Sequence, residues 1–272
     1  MSGWRTASAP AKLNLALVVG PLRPDGKHEV VTVLEKLELV DTVSMRPAGS
    51  TSVEGFAGDT LVRSALDAVS AAGGGDIRFE ARLVKRIPVA AGLGGGSSDA
   101  ATALFLANGL LPKPLAGAEL ERLAGSLGAD VPFFLHHGPQ LGTGDGTALE
   151  PLELPRDYTV VLAQPHGKTK SSTADVYAAF DARTGAAGFE ERRGHLLEVL
   201  EQVRSTGDLA RLPPNDLASS PLAAELVVLG AVRADATGAG PTVFGLFADP
   251  LDAVRAAEAL ADRAATWVTK PA

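Results

Sequence analysis

One segment constrains this chain more than any other. It reads Pro88-Val89-Ala90-Ala91-Gly92-Leu93-Gly94-Gly95-Gly96-Ser97-Ser98-Asp99 and runs straight into Ala100-Ala101-Thr102-Ala103-Leu104-Phe105-Leu106-Ala107. The second stretch has the composition of a helix, and Asn108-Gly109 stops it. A glycine run that feeds a helix start gathers unpaired backbone N–H groups and the positive end of the helix dipole at one point, where an anion binds favourably. Glycine also lets the backbone take left-handed conformations and approach a ligand closely. The segment therefore predicts a phosphate-cradling loop over residues 88–98. Ser97 and Ser98 stand at its mouth, one to cap the helix and the other to contact phosphate or a metal ion. A Walker A loop needs a Lys after its last glycine, and Ser97 follows Gly96 instead. A dinucleotide fingerprint fits Gly92 and Gly94, but Ser97 stands at its third position, and Pro88 to Ala91 separate the loop from any preceding strand. Taken alone, the glycines could also be a surface turn with no ligand. The abrupt passage into an uncharged helix start weighs against that.

The chain has 272 residues, enough for roughly two domains at ~150 residues each. Leu13, Leu15, Leu17 and Val19 alternate with Lys12, Asn14 and Ala16, which predicts a strand over 12–19 with Lys12 and Asn14 on one face. Arg23-Pro24-Asp25-Gly26 is a turn, and 30–45 reads as one or two further strands. Asp59 is placed to cap a helix through Val69 that Gly73 to Gly75 end. Residues 76–84 alternate as a second strand, and a helix is expected over 118–127. Pro151 and Pro155 suggest a domain boundary, dividing the chain into 1–152 and 153–272. Beyond it, strands are expected at 158–163, 242–247 and 265–269, and helices at 190–204, 216–229 and 249–262. Strands mixed with helices in this way predict an α+β architecture.

Charge and composition narrow the function. Twenty-five Lys and Arg against 32 Asp and Glu give −7, a poor balance for binding nucleic acid or an anionic membrane. Without cysteine, the chain has no disulfide, thiolate metal site or Cys nucleophile. The start, Met1-Ser2-Gly3-Trp4-Arg5, lacks the basic and apolar regions of a signal peptide, so a cytoplasmic protein is expected. No group of His or carboxylates has metal-ligand spacing, and the adjacent His136 and His137 are expected to be structural or exposed.

Residues 88–101 resemble the central motif of the GHMP kinases. Three other regions agree in order and spacing: Ala9-Pro10-Ala11-Lys12-Leu13-Asn14-Leu15, Gly128-Ala129-Asp130-Val131-Pro132-Phe133-Phe134, and Asn215-Asp216-Leu217 with the late loop Ala236-Thr237-Gly238-Ala239-Gly240. The resemblance covers nearly the whole chain. It implies a two-domain α+β fold, the first domain like the second domain of ribosomal protein S5 and the second ferredoxin-like, with the active site in the cleft between them. It implies ATP with Mg2+ as cofactors. The implied acceptor is a cytidine diphosphate-linked methylerythritol, phosphorylated at its 2-hydroxyl in the non-mevalonate route to isoprenoids.

The same resemblance implies roles. Asp130 matches the catalytic carboxylate that accepts the hydroxyl proton. Lys12 matches the lysine that pairs with it and offsets γ-phosphate charge. The ATP loop is Pro88, Val89, Ala90, Ala91, Gly92, Leu93, Gly94, Gly95, Gly96, Ser97 and Ser98. Mg2+ is expected on ATP phosphates and water, with Ser98 helping. Asn14 is expected to hydrogen-bond the substrate. Asp25-Gly26-Lys27-His28 resembles the cytosine-reading segment, in which the family usually has Tyr where Lys27 stands. His28 is then left to bond the base edge. Thr173 and Tyr177, in Ser171-Ser172-Thr173-Ala174-Asp175-Val176-Tyr177, resemble a second substrate segment, with Tyr177 as an aromatic wall. The family often has glycine where Ala90 or Ala91 stands, and Ser-Gly-Ser-Gly where this chain has Thr237-Gly238-Ala239-Gly240. A GHMP-type kinase for another alcohol, a catalytically silent nucleotide-binding regulator and a non-nucleotide structural protein are the alternatives.

Overall fold

The computed structural model describes residues 3–168, 172–183 and 185–272, so Ser171 of the second substrate segment lies outside the described residues. In chain order the elements are β1 (Arg5–Leu22), β2 (His28–Ala48), β3 (Ser52–Glu54), α1 (Leu61–Ala72), β4 (Arg78–Val84), α2 (Gly95–Asn108), α3 (Gly117–Leu127), β5 (Gln140–Thr143), β6 (Ala148–Pro151), β7 (Thr159–Pro165), α4 (Thr173–Arg183), α5 (Phe189–Gln202), α6 (Pro221–Val228), β8 (Arg233–Ala236), β9 (Val243–Phe247), α7 (Pro250–Leu260) and β10 (Ala264–Thr269). They form two compact units. The first takes the chain up to Ala11 with Leu39–Val89 and Gly94–His137; the second takes Lys12–Glu38, Ala90–Leu93 and Gly138–Ala272. A cut near 152 divides the chain in order, whereas these units interleave. The reason is that β1 and β2 are single strands of 18 and 21 residues that each serve both units.

In the first unit, β2 pairs antiparallel with β4, from Thr42 opposite Val84 to Ala48 opposite Arg78, and β3 pairs parallel with β4. The alternation read in the sequence is real: Phe79, Ala81 and Leu83 are buried, while Arg78 and Arg82 face solvent. Those buried residues join Val43, Met45, Leu66 and Leu104 in one apolar core. Helix α1 starts at Leu61 with Thr60 at its N-cap, yet Asp59 still does the capping. Its carboxylate accepts the Val62 and Arg63 N–H groups at 3.2 and 3.3 Å.

In the second unit, β10, β7, β9 and β8 lie in that order as an antiparallel sheet. Helices α6 and α7 pack on it, around Val161, Leu226, Val243, Phe247 and Leu260. The strand order with its two crossovers is the ferredoxin-like arrangement. The helix expected from 216 begins only at Pro221. Ser220 caps it there, and proline is favoured in the first turn. Strands β5, β6 and β8 are not legible in the sequence. Each has four residues, too few to show a period. No helix among the described residues is long and apolar enough to cross a membrane.

One buried charge in this unit has a measurable consequence. Glu35 on β2 is fully buried and accepts the Lys36 N–H at 3.1 Å and an Arg156 N–H at 3.4 Å. Burial pushes its carboxyl up to about 7 despite Arg156. Between its ordinary value of 4.5 and about 7, the folded chain binds more proton at Glu35 than the unfolded chain does. Its contribution therefore favours folding at acid pH and is lost as pH rises through that window. Glu35→Gln is expected to raise the unfolding free energy at pH 8 by on the order of 1–3 kcal/mol and to change it little at pH 4.5. Denaturant melts at both pH values check this. A difference independent of pH would remove Glu35 as its source.

Candidate active site

The glycine segment is built as an anion cradle should be. Along it Ala90, Gly92 and Gly94 have φ of 54°, 82° and 69°, so every second residue is left-handed. Ala90 is the one non-glycine with positive φ among the described residues. The alanine thus takes the conformation for which the family often uses glycine, at a cost of roughly 1–2 kcal/mol. Helix α2 begins at Gly95 with Gly94 as N-cap, and no side chain caps it. Neither serine has the capping role that the sequence suggests, because the helix starts before them and places both in its first turn. The first-turn N–H groups are therefore left for a ligand. The Ser98 hydroxyl is buried with no hydrogen-bond partner among the described residues. An uncapped helix start beside an orphaned hydroxyl fits the phosphates of a nucleotide and a hydrated divalent cation. Pro88 is half-buried, Val89 and Ala90 are exposed, and Ala91 and Leu93 are buried, so side-chain packing holds the loop from its inner side.

In the second unit, three segments converge on the Lys12 side of β1. The Lys12 N–H donates to Leu93 O at 2.9 Å. A Cβ on Gly92 would stand 2.6 Å from Thr237 O and 3.0 Å from Gly240 O, and one on Gly238 would stand 3.3 Å from both Asn14 Oδ1 and Lys12 Nζ. The early and late glycine loops therefore meet backbone to backbone, over Lys12 and Asn14. As the alternation predicts, those two share a face: Lys12 Nζ donates to Asn14 Oδ1 at 2.5 Å, and Asn14 Nδ2 donates to Thr32 Oγ1 at 2.8 Å. Both are buried, which an ordinary solvent-facing lysine would not be. The Thr237 hydroxyl is used within the fold, accepting the Asn14 N–H at 3.0 Å. Asn215 fastens the late loop by donating to Ala236 O and Gly238 O, and the Asp216 N–H donates to Leu17 O.

The described residues of the other segments expected to bind substrate also lie in the second unit. His28 is buried and stacks on Tyr177 with ring centroids 4.9 Å apart and planes 24° apart. Its Nδ1 lies 2.9 Å from Gly20 O, and its Nε2 lies 3.4 Å from Asp181 Oδ2. With Nδ1–H donated to Gly20, Nε2 is the atom turned toward Asp181. Lys27 is exposed and ion-paired with Asp145 at 2.5 Å. Against the effect of partial burial, Lys27 and Thr147 hold the Asp145 carboxyl at about 2. Thr173 is the exposed first residue of α4, one turn before Tyr177, and Ser172 caps that helix by accepting the Asp175 N–H. The structure thus brings His28 and Tyr177 together, commits Lys27 to a carboxylate, and leaves Thr173 at the surface.

Asp130 is in the first unit, half-buried between α3 and a short 3-10 turn over Pro132–Leu135. His136 lies 3.1 Å from Glu121, and His137 is exposed. No group of three or more His or carboxylates among the described residues could hold a metal ion. Sequence patterning does not single out Asp41 or Lys85. Asp41 is a buried carboxylate beside the loop, and the one signal for it is a charge next to the apolar pair Leu39-Val40 in an expected strand.

Comparison with known proteins bears on these features. The profile of the GHMP kinases N terminal domain matches residues 60–138, and that of the GHMP kinases C terminal matches residues 217–266. The chain is 38% identical to the 4-diphosphocytidyl-2-C-methyl-D-erythritol kinase of Rhodococcus jostii, over 93% of this chain and 87% of that one. It is 40% identical to the protein of the same name from Pelotomaculum thermopropionicum, over 90% of this chain and 89% of that one. A crystal structure of 4-(cytidine 5'-diphospho)-2C-methyl-D-erythritol kinase superposes with a TM-score of 0.80 at 32% identity, covering 98% of this chain and all of that one. The mevalonate kinase of Methanococcus jannaschii, at 13% identity and a TM-score of 0.75, is similar in fold.

Proposed function

This chain belongs to the 4-diphosphocytidyl-2-C-methyl-D-erythritol kinase family of the GHMP kinases, and from that premise we propose that it phosphorylates the 2-hydroxyl of 4-diphosphocytidyl-2-C-methyl-D-erythritol with ATP, a step in the non-mevalonate route to isoprenoids. The observation that carries the phosphoryl-transfer reading is the loop at 90–94, left-handed at every second residue and opening onto an uncapped helix start. Phosphoryl transfer asks little covalent chemistry of a protein. It asks that phosphates be held, charge be offset and the hydroxyl be aligned.

Residues 88–98 hold the ATP phosphates through backbone N–H groups. The buried Lys12 ammonium, oriented by Asn14, offsets charge on the transferring group, and the second N–H of the Asn14 amide is offered to the acceptor. Asp130 accepts the proton of the 2-hydroxyl. Ser98 is the residue to contact hydrated Mg2+, which when bound neutralises phosphate charge. His28 reads the cytosine edge through Nε2, exchanging Asp181 for the base, and Tyr177, held against His28, supplies an aromatic surface for the base. Lys27, paired with Asp145, gives this face a cation where an aromatic ring is usual, and Thr173 lines the entrance at the start of α4. The partner is a small molecule and the setting the cytoplasm, where ATP is supplied.

The test is ATP consumption by the purified protein with Mg2+, comparing the cytidine diphosphate-linked alcohol with the free alcohol. Turnover is expected only with the former. Equal turnover of the free alcohol would favour a kinase of a different acceptor, and nucleotide binding without turnover would favour a regulator.

A further inference from the structure

We propose that Asp41 is a positioning residue for the phosphate loop, a buried carboxylate that fixes both ends of the loop at once. This rests on the reading of residues 88–98 as the ATP loop and adds a residue that no motif contains.

The geometry lies within the first unit. Asp41 is at 0% exposure on β2. Its Oδ1 accepts the Ile87 N–H at 2.8 Å and also the Arg86 N–H, and its Oδ2 accepts from Lys85 Nζ. These three donors are consecutive, and they form the corner where β4 ends and the loop begins. The same Lys85 ammonium donates to Asp99 Oδ2, one turn into α2. The far end of the loop is held closely too: a Cβ on Gly95 would stand 3.1 Å from Ile87 Cγ2 and 3.5 Å from Asp41 Oδ2. The first residue of α2 therefore rests on Ile87 and on the Asp41 carboxylate.

A carboxylate with four lone-pair sites suits this place. It accepts two backbone N–H groups and an ammonium together, which a neutral amide cannot do because its NH2 would face a donor. These donors, in a buried bond at Ile87 and part-buried bonds at Lys85 and Arg86, would shift the corner if left without their acceptor, and the α2 N–H groups would move with it. Misplacing a bound group by 1 Å can cost ~10²-fold in a reaction that depends on alignment. Asp41 touches no reacting atom; it acts through the corner and the helix start.

The experiment compares wild type with Asp41→Asn, using titration calorimetry with a non-hydrolysable ATP analogue and Mg2+, and steady-state kinetics in both substrates. The expected result is an ATP-analogue affinity and an ATP KM each worse by ~10-fold or more, with the KM of the alcohol substrate within about twofold of wild type. A merely structural role would degrade both substrates and the melting temperature together. Wild type that fails to bind the analogue defeats the ATP-loop reading itself. Wild type that binds it, with Asp41→Asn binding equally well, overturns the role of Asp41 alone. Should the variant not fold, residue-resolved hydrogen exchange on wild type decides. The Arg86 and Ile87 amides are expected to be protected without nucleotide, and exchange at open-loop rates would overturn the proposal.

Discussion

Asp130→Asn is expected to lower kcat by ~10²–10⁴-fold while leaving the ATP KM within about threefold, because the substitution removes the proposed proton acceptor. Asn has nearly the shape of Asp, and Asp130 is only half-buried at the start of a short turn, so the substitution keeps the side-chain volume there. Residues 88–98, the loop proposed to hold the nucleotide, are not altered by the substitution. An interaction made chiefly as the hydroxyl loses its proton appears in kcat and kcat/KM alike. Steady-state kinetics with the cytidine diphosphate-linked alcohol read this directly. A variant within about tenfold of wild type would show that the hydroxyl proton leaves by another route.

The second large effect is structural. Gly92→Ala meets two independent penalties. At φ 82° an alanine is strained by roughly 1–2 kcal/mol. Its Cβ would also stand 2.6 Å from Thr237 O and 3.0 Å from Gly240 O, both backbone atoms that cannot rotate away as a side chain would. The two glycine loops would have to part, taking Gly238 off Lys12 and Asn14. Together these are expected to lower the unfolding free energy by ~3 kcal/mol or more, and to weaken ATP binding by ~30-fold or more in whatever protein folds. Gly96→Ala is the control for stability. Its added methyl meets only Leu61 Cδ1, at 3.6 Å, and it sits in a helix where alanine is favoured. Denaturant melts of the two variants side by side check the contrast. Equal stabilities would mean that the loops do not meet as described.

Much of the site is legible in the amino-acid sequence. Backbone demands write themselves into sequence as glycine, so Gly92, Gly94 and the helix behind them can be read directly. Lys12 and Asn14 share a face because strands alternate, and that too is local. The Asp59 cap is legible to within one residue. The cap expected of Ser97 or Ser98 is not formed, because Gly94 ends the loop without a side chain. Other features depend on distant partners. Ala90 is left-handed against its own preference, in a loop whose Ala91 and Leu93 are buried. By resemblance Lys27 stands where the family usually has a Tyr; its ammonium is paired with Asp145, far along the chain.

By itself, then, the sequence determined what local stereochemistry can encode: the alternating strands, the glycine loop, the helix that follows it, and the family to which those motifs are similar. The tertiary structure alone decided which long strands serve both compact units, how the late glycine loop meets the early one, and why Asp41 and Lys85 are charged at all. The physical reason is range. A φ angle or a helix cap is settled among neighbouring residues, whereas a buried charge is tolerable only where the fold brings it its donors. Asp41 finds those donors in Lys85, Arg86 and Ile87, which no local pattern places beside it.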